Sequence, residues 1–466
     1  MPRSYLDAPR PIAALATPGG RSALAVIRTS GPGTFELLAS CFSRPSALLE
    51  APGLSLVHGF FMDGRTGERI DEVLVALFRA PKSPTGEDQA EVSCHGSPVI
   101  VRRILSCLHV AGFAPALPGE FSFRAFTQGK SDLVEAEAVA ELVDARSEGA
   151  RGEALRRLEG RLSRRLGEAR KALLDLLAEA EVRLDYAEED GSPSELFPRG
   201  KLAALRAELA TLAASWRTGR LYAEGAMLAL AGRTNAGKSS LFNLLLREDR
   251  ALVSPEPGTT RDWIEAGVEI GGFPLRLVDT AGLRAGPEGI EARGIERSRA
   301  LVSEADLVCC LVDSSLGPGA EDEELLALRP DALRIWTKTD LPDSLPCPRG
   351  WIPLSTEEGR GLEALHEALA TALKGLAGRP PEGGPPDRDE VAIANLRQKE
   401  LLERAVEALD AVLGVLDASS PAGVGELLDA AALELRVAAE ALGELTGEIV
   451  SAEVLETIFA GFCLGK

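Results

Sequence analysis

The sequence predicts a multidomain chain: an N-terminal α+β domain, a discontinuous all-α helical domain, and an α/β domain inserted into it. At 466 residues the chain is too long for one ordinary core. Its sequence pattern changes along the chain. β-branched runs between Gly/Pro turns come first, and a stretch rich in Leu, Ala, Glu and Arg follows, in which apolar residues recur with a period near 3.6. A stretch in which predicted strands alternate with predicted helices comes next. After it, the helical pattern with a period near 3.6 returns. These observations predict the order of the domains.

The N-terminal α+β domain is predicted over residues 1–120. β-branched runs at 23–28, 73–78 and 91–95 are typical of strands, and the pattern at 97–111 favours a helix. These runs alternate with Gly/Pro turns, which is typical of a small α+β fold.

The helical domain is predicted in two parts, residues 121–218 and 379–466, around an α/β domain at 219–378. The second part begins with a Gly/Pro-rich linker at 378–386 and is expected to be helical from 391 to the end. Insertion is plausible because the ends of compact domains often lie close together. Two separate helical domains are the alternative.

Composition predicts a globular protein of the cytoplasm that has no membrane partner. Hydrophobic residues make up 45% of the chain and charged residues 26%, and we find no signal-peptide pattern or membrane-spanning run. The seven cysteines lack metal-ligand spacing, and most are expected to be buried, as Cys309 and Cys310 are in an apolar run.

The net charge of −20 argues against a protein that coats nucleic acid by itself. Residues 151–171 are an exception, because they carry eight Lys/Arg against three Glu. This stretch is interpreted either as a solvated helix face or as a contact for RNA phosphate. Residues 391–466 carry 5 basic and 13 acidic groups, which makes them a poor RNA-binding surface.

A phosphate-binding loop is predicted at 232–239, where the sequence matches GxxxxGK[ST] between a strand-like run and a helix. Glycines let the backbone N–H groups face phosphate oxygens at a helix N-terminus. In such a loop Lys238 reaches the β/γ phosphates, and the Ser239 hydroxyl binds Mg²⁺.

Further motifs in the expected order indicate a GTPase. Thr260, in a loop after the phosphate loop, is the second predicted Mg²⁺ ligand, Asp279 would hold the metal shell, and the Gly282 backbone would sense the γ-phosphate. Asp340 can accept two N–H donors from guanine, which adenine does not offer. The predicted GTP-binding residues are Asn235, Ala236, Gly237, Lys238, Ser239, Ser240, Ser254, Thr259, Thr260, Asp279, Thr280, Ala281, Gly282, Thr337, Lys338, Asp340, Ser355 and Thr356.

Two departures from the usual GTPase motifs affect the mechanism. Thr337 replaces the usual Asn of the fourth motif, which predicts looser loop packing. Leu283 stands where many GTPases have a water-positioning glutamine, and an apolar side chain cannot orient water. Glu291 is the first choice for that task, and a second cation held partly by Asn235 could neutralise the developing charge.

The whole chain resembles the MnmE (TrmE) family of tRNA modification GTPases. Outside the GTPase motifs the resemblance rests on segments along the N-terminal half and on the last five residues. These segments are TPGG at 17–20, VIRTSG at 26–31, TGED at 85–88, CHG at 94–96, PGEFS at 118–122, KSDLVEAE at 130–137 and FCLGK at 462–466.

The resemblance implies an N-terminal folate-binding-type domain and a potassium-activated P-loop GTPase domain that pairs across a homodimer. The implied potassium site is Asn235, Ser254, Glu256 and Thr259, and Glu291 falls at the family's catalytic glutamate. The implied contacts for 5-formyl- or methylene-tetrahydrofolate are Arg28, Glu91, Lys130 and Lys466. Cys463 is a buried thiol in the simpler interpretation, and the family implies that it is needed for tRNA modification.

The implied function is the addition of an aminomethyl-type group, such as carboxymethylaminomethyl, to carbon 5 of the wobble uridine in certain tRNAs. The resemblance also implies a heterotetramer-type complex with the FAD-dependent protein MnmG, which would supply most of the tRNA-binding surface. A ribosome-assembly GTPase switch, or a scaffold whose hydrolysis only times partner release, are the alternatives. Neither explains the folate-type residues or the C-terminal tail.

Overall fold

The computed structural model describes residues 4–7, 9–185, 198–248, 265–279, 299–378, 391–417 and 424–465. The chain divides into two compact units. The first comprises residues 1–140, 158–174 and 439–466, and the second comprises residues 141–157 and 175–438. In the described part of the chain, no helix combines the length and the apolar character that a membrane span requires.

The first unit contains a six-stranded sheet in the order β3-β4-β5-β2-β1-β6, antiparallel except between β1 and β6. Successive side chains of each strand point to opposite faces, and this gives the sheet one apolar face and one mixed face of apolar and polar residues. The strands are β1 (Ile12–Leu15), β2 (Leu24–Ser30), β3 (Ser55–Met62), β4 (Arg69–Phe78), β5 (Gln89–His95) and β6 (Ala114–Pro115).

Three helices cover the apolar face, α1 (Thr34–Ala39), α2 (Pro45–Glu50) and α3 (Pro98–Ala111). Ile27 and Ile104 lie in this core with no exposed area. The other face carries Arg28, and α4 (Glu120–Thr127) packs against part of it through Phe121. The strands and the helix predicted for this region are confirmed.

Between α4 and the second sheet, the described residues form five helices. The five are α5 (Leu133–Asp144), α6 (Glu148–Leu158), α7 (Arg161–Asp185), α8 (Arg199–Ala214) and α9 (Trp216–Glu224). Their Leu/Ala periodicity places leucines on buried faces, as at Leu202, Leu205 and Leu209 of α8.

The second unit contains a six-stranded sheet in the order β12-β11-β10-β7-β9-β8, parallel except for the β8–β9 hairpin. Its strands are β7 (Ala226–Ala231), β8 (Glu265–Ile270), β9 (Phe273–Asp279), β10 (Leu307–Asp313), β11 (Leu333–Thr337) and β12 (Ile352–Pro353). The helices α10 (Lys238–Glu248), α11 (Ala320–Leu328) and α12 (Leu362–Leu376) alternate with them. The predicted α/β fold is confirmed.

The last helices are α13 (Leu396–Asp417), α14 (Val424–Thr446) and α15 (Ala452–Ala460). α8 packs along α13, and Arg206 forms a two-pronged ion pair with Asp410 at 2.8 and 2.7 Å. Helices from either side of the α/β segment therefore pack together, which favours one split helical domain over two separate ones. Residues 391–395 were predicted to be helical, but they precede the start of α13. The residue limits of the four predicted domains stay a prediction.

Candidate functional site

The phosphate loop lies between β7 and α10, as predicted. β7 is a nearly continuous apolar strand with parallel neighbours on both sides, so it fixes where the loop begins. The backbone takes positive φ at Gly232 (142°), Asn235 (65°) and Gly237 (92°). A Cβ at Gly232 would lie 2.2 Å from the carbonyl oxygen of Leu311, so only glycine fits there.

Lys238 and the serines after it begin α10. The Lys238 side chain is buried, and its Nζ donates to the carbonyl oxygens of Gly232 at 2.8 Å and Arg233 at 2.7 Å. Ser239 and Ser240 are exposed in the first helical turn. A helix N-terminus with a fixed ammonium group beside it attracts phosphate.

Thr337 joins the phosphate loop to the loop predicted to bind the base. It is the last residue of β11 and is 1% exposed. Its hydroxyl lies 2.9 Å from the carbonyl oxygen of Ala236 and 3.0 Å from that of Val312, and it donates to these acceptors. The expectation that threonine would loosen the packing here is wrong, because the shorter side chain still reaches the phosphate loop.

The residues predicted to recognise guanine come together beyond Thr337. A hydrogen bond from the Ser355 hydroxyl lowers the pKa of Asp340, so the carboxylate stays charged and able to accept N–H donors. Ser355 is fully buried, and Thr356 beside it is half-buried. Buried Ser355 thus fixes the orientation of the more accessible Asp340.

Lys338 is held by residues that the sequence did not single out. Its backbone has φ of 57°, and its Nζ lies 2.7 Å from Oδ2 of Asp313 at the end of β10. Burial alone would raise the pKa of Asp313, but hydrogen bonds from Lys338 and Ser315 outweigh it and lower the pKa. The Ser314 hydroxyl also donates to the Lys338 carbonyl at 3.0 Å. The sequence signal that could have identified Asp313 is an acidic residue at the end of a strand.

Many predicted site residues lie outside the described residues. Asp279 closes β9, and its backbone pairs in register with Leu230, so this strand ends beside the phosphate loop. The predictions outside the described residues are Ser254, Glu256, Thr259, Thr260, Thr280, Ala281, Gly282, Leu283, Glu291 and Lys466.

Two of the predicted folate contacts pair with each other in the first unit. Nε and Nη2 of Arg28 both lie 2.9 Å from Oε1 of Glu91, and Nη1 donates to the Gly465 carbonyl at 3.0 Å. Both side chains are 26% exposed. Lys130 is exposed in the turn after α4. A folate carboxylate would have to share Arg28 with these partners.

The cysteines divide by exposure. Burial raises the pKa of Cys309 and Cys310 to about 12, in agreement with their predicted place in a core strand. Cys463 is exposed, so the interpretation as a buried thiol is wrong. Cys347 is also exposed, while four of the seven cysteines are buried, in agreement with the expectation for most of them.

The basic stretch at 151–171 is largely neutralised within each unit. In the second unit Arg157 is buried and lies 2.6 Å from Glu141, and Arg156 pairs with Glu153. In the first unit Arg161 lies 3.1 Å from Glu159. Arginines committed to carboxylates are poor phosphate ligands, so these contacts favour the interpretation as a helix surface.

Comparison with known proteins agrees with the geometry. A family model described as the MnmE helical domain matches residues 133–463, and one described as the N-terminus of the GTP-binding protein TrmE matches residues 11–130. The tRNA modification GTPase MnmE of one Thermus thermophilus strain is 43% identical over 98% of this chain and 99% of its own length. Those of Chlorobium luteolum and Treponema denticola are 42% and 37% identical, each over 98% of both chains.

This similarity extends along the whole chain and includes both the N-terminal and the helical segments. The predicted family and the predicted enzyme class, a GTP hydrolase, are confirmed. The chain belongs to the MnmE family of tRNA modification GTPases.

Proposed function

We propose that the chain hydrolyses GTP in the cytoplasm as part of an enzyme that modifies carbon 5 of the wobble uridine in certain tRNAs. The observation that carries the GTPase part is the direct contact between Thr337 and the phosphate loop. This contact links the phosphate loop to the end of β11, and it supports the proposal that both loops bind one nucleotide, because catalysis of phosphoryl transfer depends mainly on positioning.

Different groups among the described residues are proposed to bind the phosphates and the base. Lys238 and the first turn of α10 face the charge of the phosphates, and Asp340 accepts the N–H donors of guanine. Glu291 is proposed to orient the attacking water, since Leu283 cannot do so.

Two cations are proposed for this site. The exposed Ser239 hydroxyl beside Lys238 suits Mg²⁺, which prefers oxygen ligands and would neutralise charge on the phosphates. The exposed Asn235 offers an amide oxygen suited to K⁺ from a loop position with φ of 65°. Thr260 would complete the magnesium set, and Ser254, Glu256 and Thr259 the potassium set.

A reduced folate is proposed as the one-carbon donor, bound in the first unit. Glu91 is the acceptor for pterin N–H groups, and Arg28 holds its orientation through their 2.9 Å contact. Lys130 and Lys466 are proposed to bind the carboxylates of the folate. The exposure of Cys463 in the same unit is compatible with a direct part in tRNA modification.

A homodimer is proposed to form on the mixed face of the first sheet. Leu56 and Leu74 stand on the adjacent strands β3 and β4 of that face, and they are 69% and 46% exposed. Leu24 stands on β2 of the same face, beyond β5, and is 63% exposed. Large apolar side chains grouped on one exposed face are typical of an interface. A second copy would cover them and would bring two GTPase domains into one assembly.

The tRNA is proposed to bind mainly through the FAD-dependent partner MnmG in a heterotetramer-type complex. A net charge of −20 and arginines paired with carboxylates leave this chain poorly suited to hold a polyanion alone.

Steady-state GTP turnover by the full chain in KCl and in NaCl at equal ionic strength tests the GTPase part. We expect faster turnover in KCl, and Lys238→Ala should abolish turnover in both salts. Equal rates in the two salts would contradict the potassium-assisted dimer. Normal turnover by Lys238→Ala would contradict the proposed site itself.

A further inference from the structure

The side chain of Arg233, the second residue of the phosphate loop, connects this loop to a segment outside it. Arg233 directs its guanidinium away from the loop, and its Nε lies 2.8 Å from Oδ2 of Asp322 in the first turn of α11. Its Nη2 also donates to the carbonyl oxygen of Gly317. The side chain therefore connects the phosphate loop with the segment 313–322, which follows β10.

The local chain is shaped to accept this contact. A Cβ on Gly319 would lie 3.0 Å from Nη1 of Arg233, so glycine allows the close approach. Asp322 is 1% exposed, and its Oδ2 also accepts the Gly319 N–H at 3.0 Å. Its Oδ1 has no hydrogen-bond partner among the described residues. Loss of Arg233 would leave a buried carboxylate without its cation, which is costly.

The other end of the segment 313–322 contacts the base-binding loop. Asp313 pairs with Lys338, and the Ser314 N–H donates to the Thr337 carbonyl at 3.0 Å. A cavity of about 260 Å³ lies between the phosphate loop and this segment, and Arg233, Thr234, Asp313 and Leu316 are among its lining residues. Residues 313–322 thus touch both halves of the proposed nucleotide site.

The phosphate loop needs such support. Asn235 is a non-glycine residue at φ of 65°, a conformation that costs about 1 kcal/mol or more and persists only where surrounding contacts impose it. Nothing in the GxxxxGK[ST] pattern specifies the residue at position 233, so the motif alone does not supply this support.

We propose that the Arg233–Asp322 ion pair is a positioning device, which sets the distance between the phosphate loop and the Thr337–Asp340 loop through residues 313–322. The inference rests on the proposed binding of GTP at this site. Arg233 then contributes to nucleotide affinity without touching the nucleotide, and its effect depends on Asp322.

The test is a double-mutant cycle on the full chain, with Arg233→Met, Asp322→Asn and the double variant. Affinity for a fluorescent GTP analogue, kcat at saturating GTP, and Tm are measured for each. We expect each single substitution to weaken affinity about tenfold while kcat stays within about twofold, and the double variant to be no weaker than the worse single variant. Arg233→Lys should restore part of the affinity.

Glu324→Gln is the matched control, since Glu324 lies on the same helix and forms an exposed ion pair with Arg299. It should leave affinity unchanged. Additive losses in the cycle, or a lowered Tm with unchanged affinity, would overturn the inference. Failure of the proposed function is separate, because the wild-type chain would then not bind the analogue at all.

Discussion

The Thr337 hydroxyl lies 2.9 Å from the carbonyl oxygen of Ala236, so one buried side chain connects the strand that carries the base-binding loop to the phosphate loop. Thr337→Val keeps the shape of the side chain and removes the donor. A buried carbonyl that loses its partner costs about 1–3 kcal/mol. We expect GTP affinity to fall about tenfold, measured with a fluorescent GTP analogue.

Thr337→Ser is the control for that substitution, because serine keeps the hydroxyl and loses only a methyl group. Its affinity should stay close to that of the wild type. Wild-type affinity in the valine variant would show that the hydroxyl does not position the phosphate loop.

Asp340→Asn should change which purine nucleotide the chain prefers. An asparagine side chain keeps one acceptor and replaces the other oxygen with an NH₂ donor, which suits the carbonyl at position 2 of xanthine better than the amino group of guanine. We expect affinity for GTP to fall by about 10–100-fold and affinity for XTP to rise. Competition binding with the two nucleotides measures the change, and an unaltered preference would exclude Asp340 from base recognition.

Gln89→Leu should raise stability. Gln89 lies in β5, its side chain has no exposed area, and neither Nε2 nor Oε1 has a hydrogen-bond partner among the described residues. Each buried polar group without a partner costs about 1–3 kcal/mol, and leucine has a similar volume. We expect a higher Tm in calorimetry.

Gln398 provides the comparison for Gln89. It is equally buried, but its Oε1 accepts the Ala394 N–H at 3.1 Å. Gln398→Leu should therefore lower Tm. A decrease in Tm for Gln89→Leu as well would indicate that the Gln89 amide is hydrogen-bonded in solution.

The elements that the sequence predicted well are those whose signals are local. The alternating texture predicted β2, β4 and β5, and the GxxxxGK[ST] spacing predicted the loop between β7 and α10. These depend on residues close together in the chain, so they can be recognised without any structure.

Contacts between distant segments could not be recognised in the sequence. Arg233 and Asp322 are 89 positions apart, and Asp313 and Lys338 meet only because β10 and β11 are parallel neighbours. Thr337 was expected to loosen the packing of the loop, because the sequence does not show that the Ala236 carbonyl oxygen lies 2.9 Å from the Thr337 hydroxyl. The two interpretations of Cys463 could not be separated in the sequence, because a short apolar tail does not reveal whether another segment covers it.

GTP hydrolysis by this chain is proposed to serve the modification of wobble uridines. The decisive experiment is mass analysis of tRNA nucleosides from a strain lacking the chain, complemented with either the wild type or Lys238→Ala. We expect that the wild type restores the C5-modified uridine and that Lys238→Ala, which cannot use the phosphate loop, does not. Intact modification in the deletion strain, or full restoration by Lys238→Ala, would contradict the proposal.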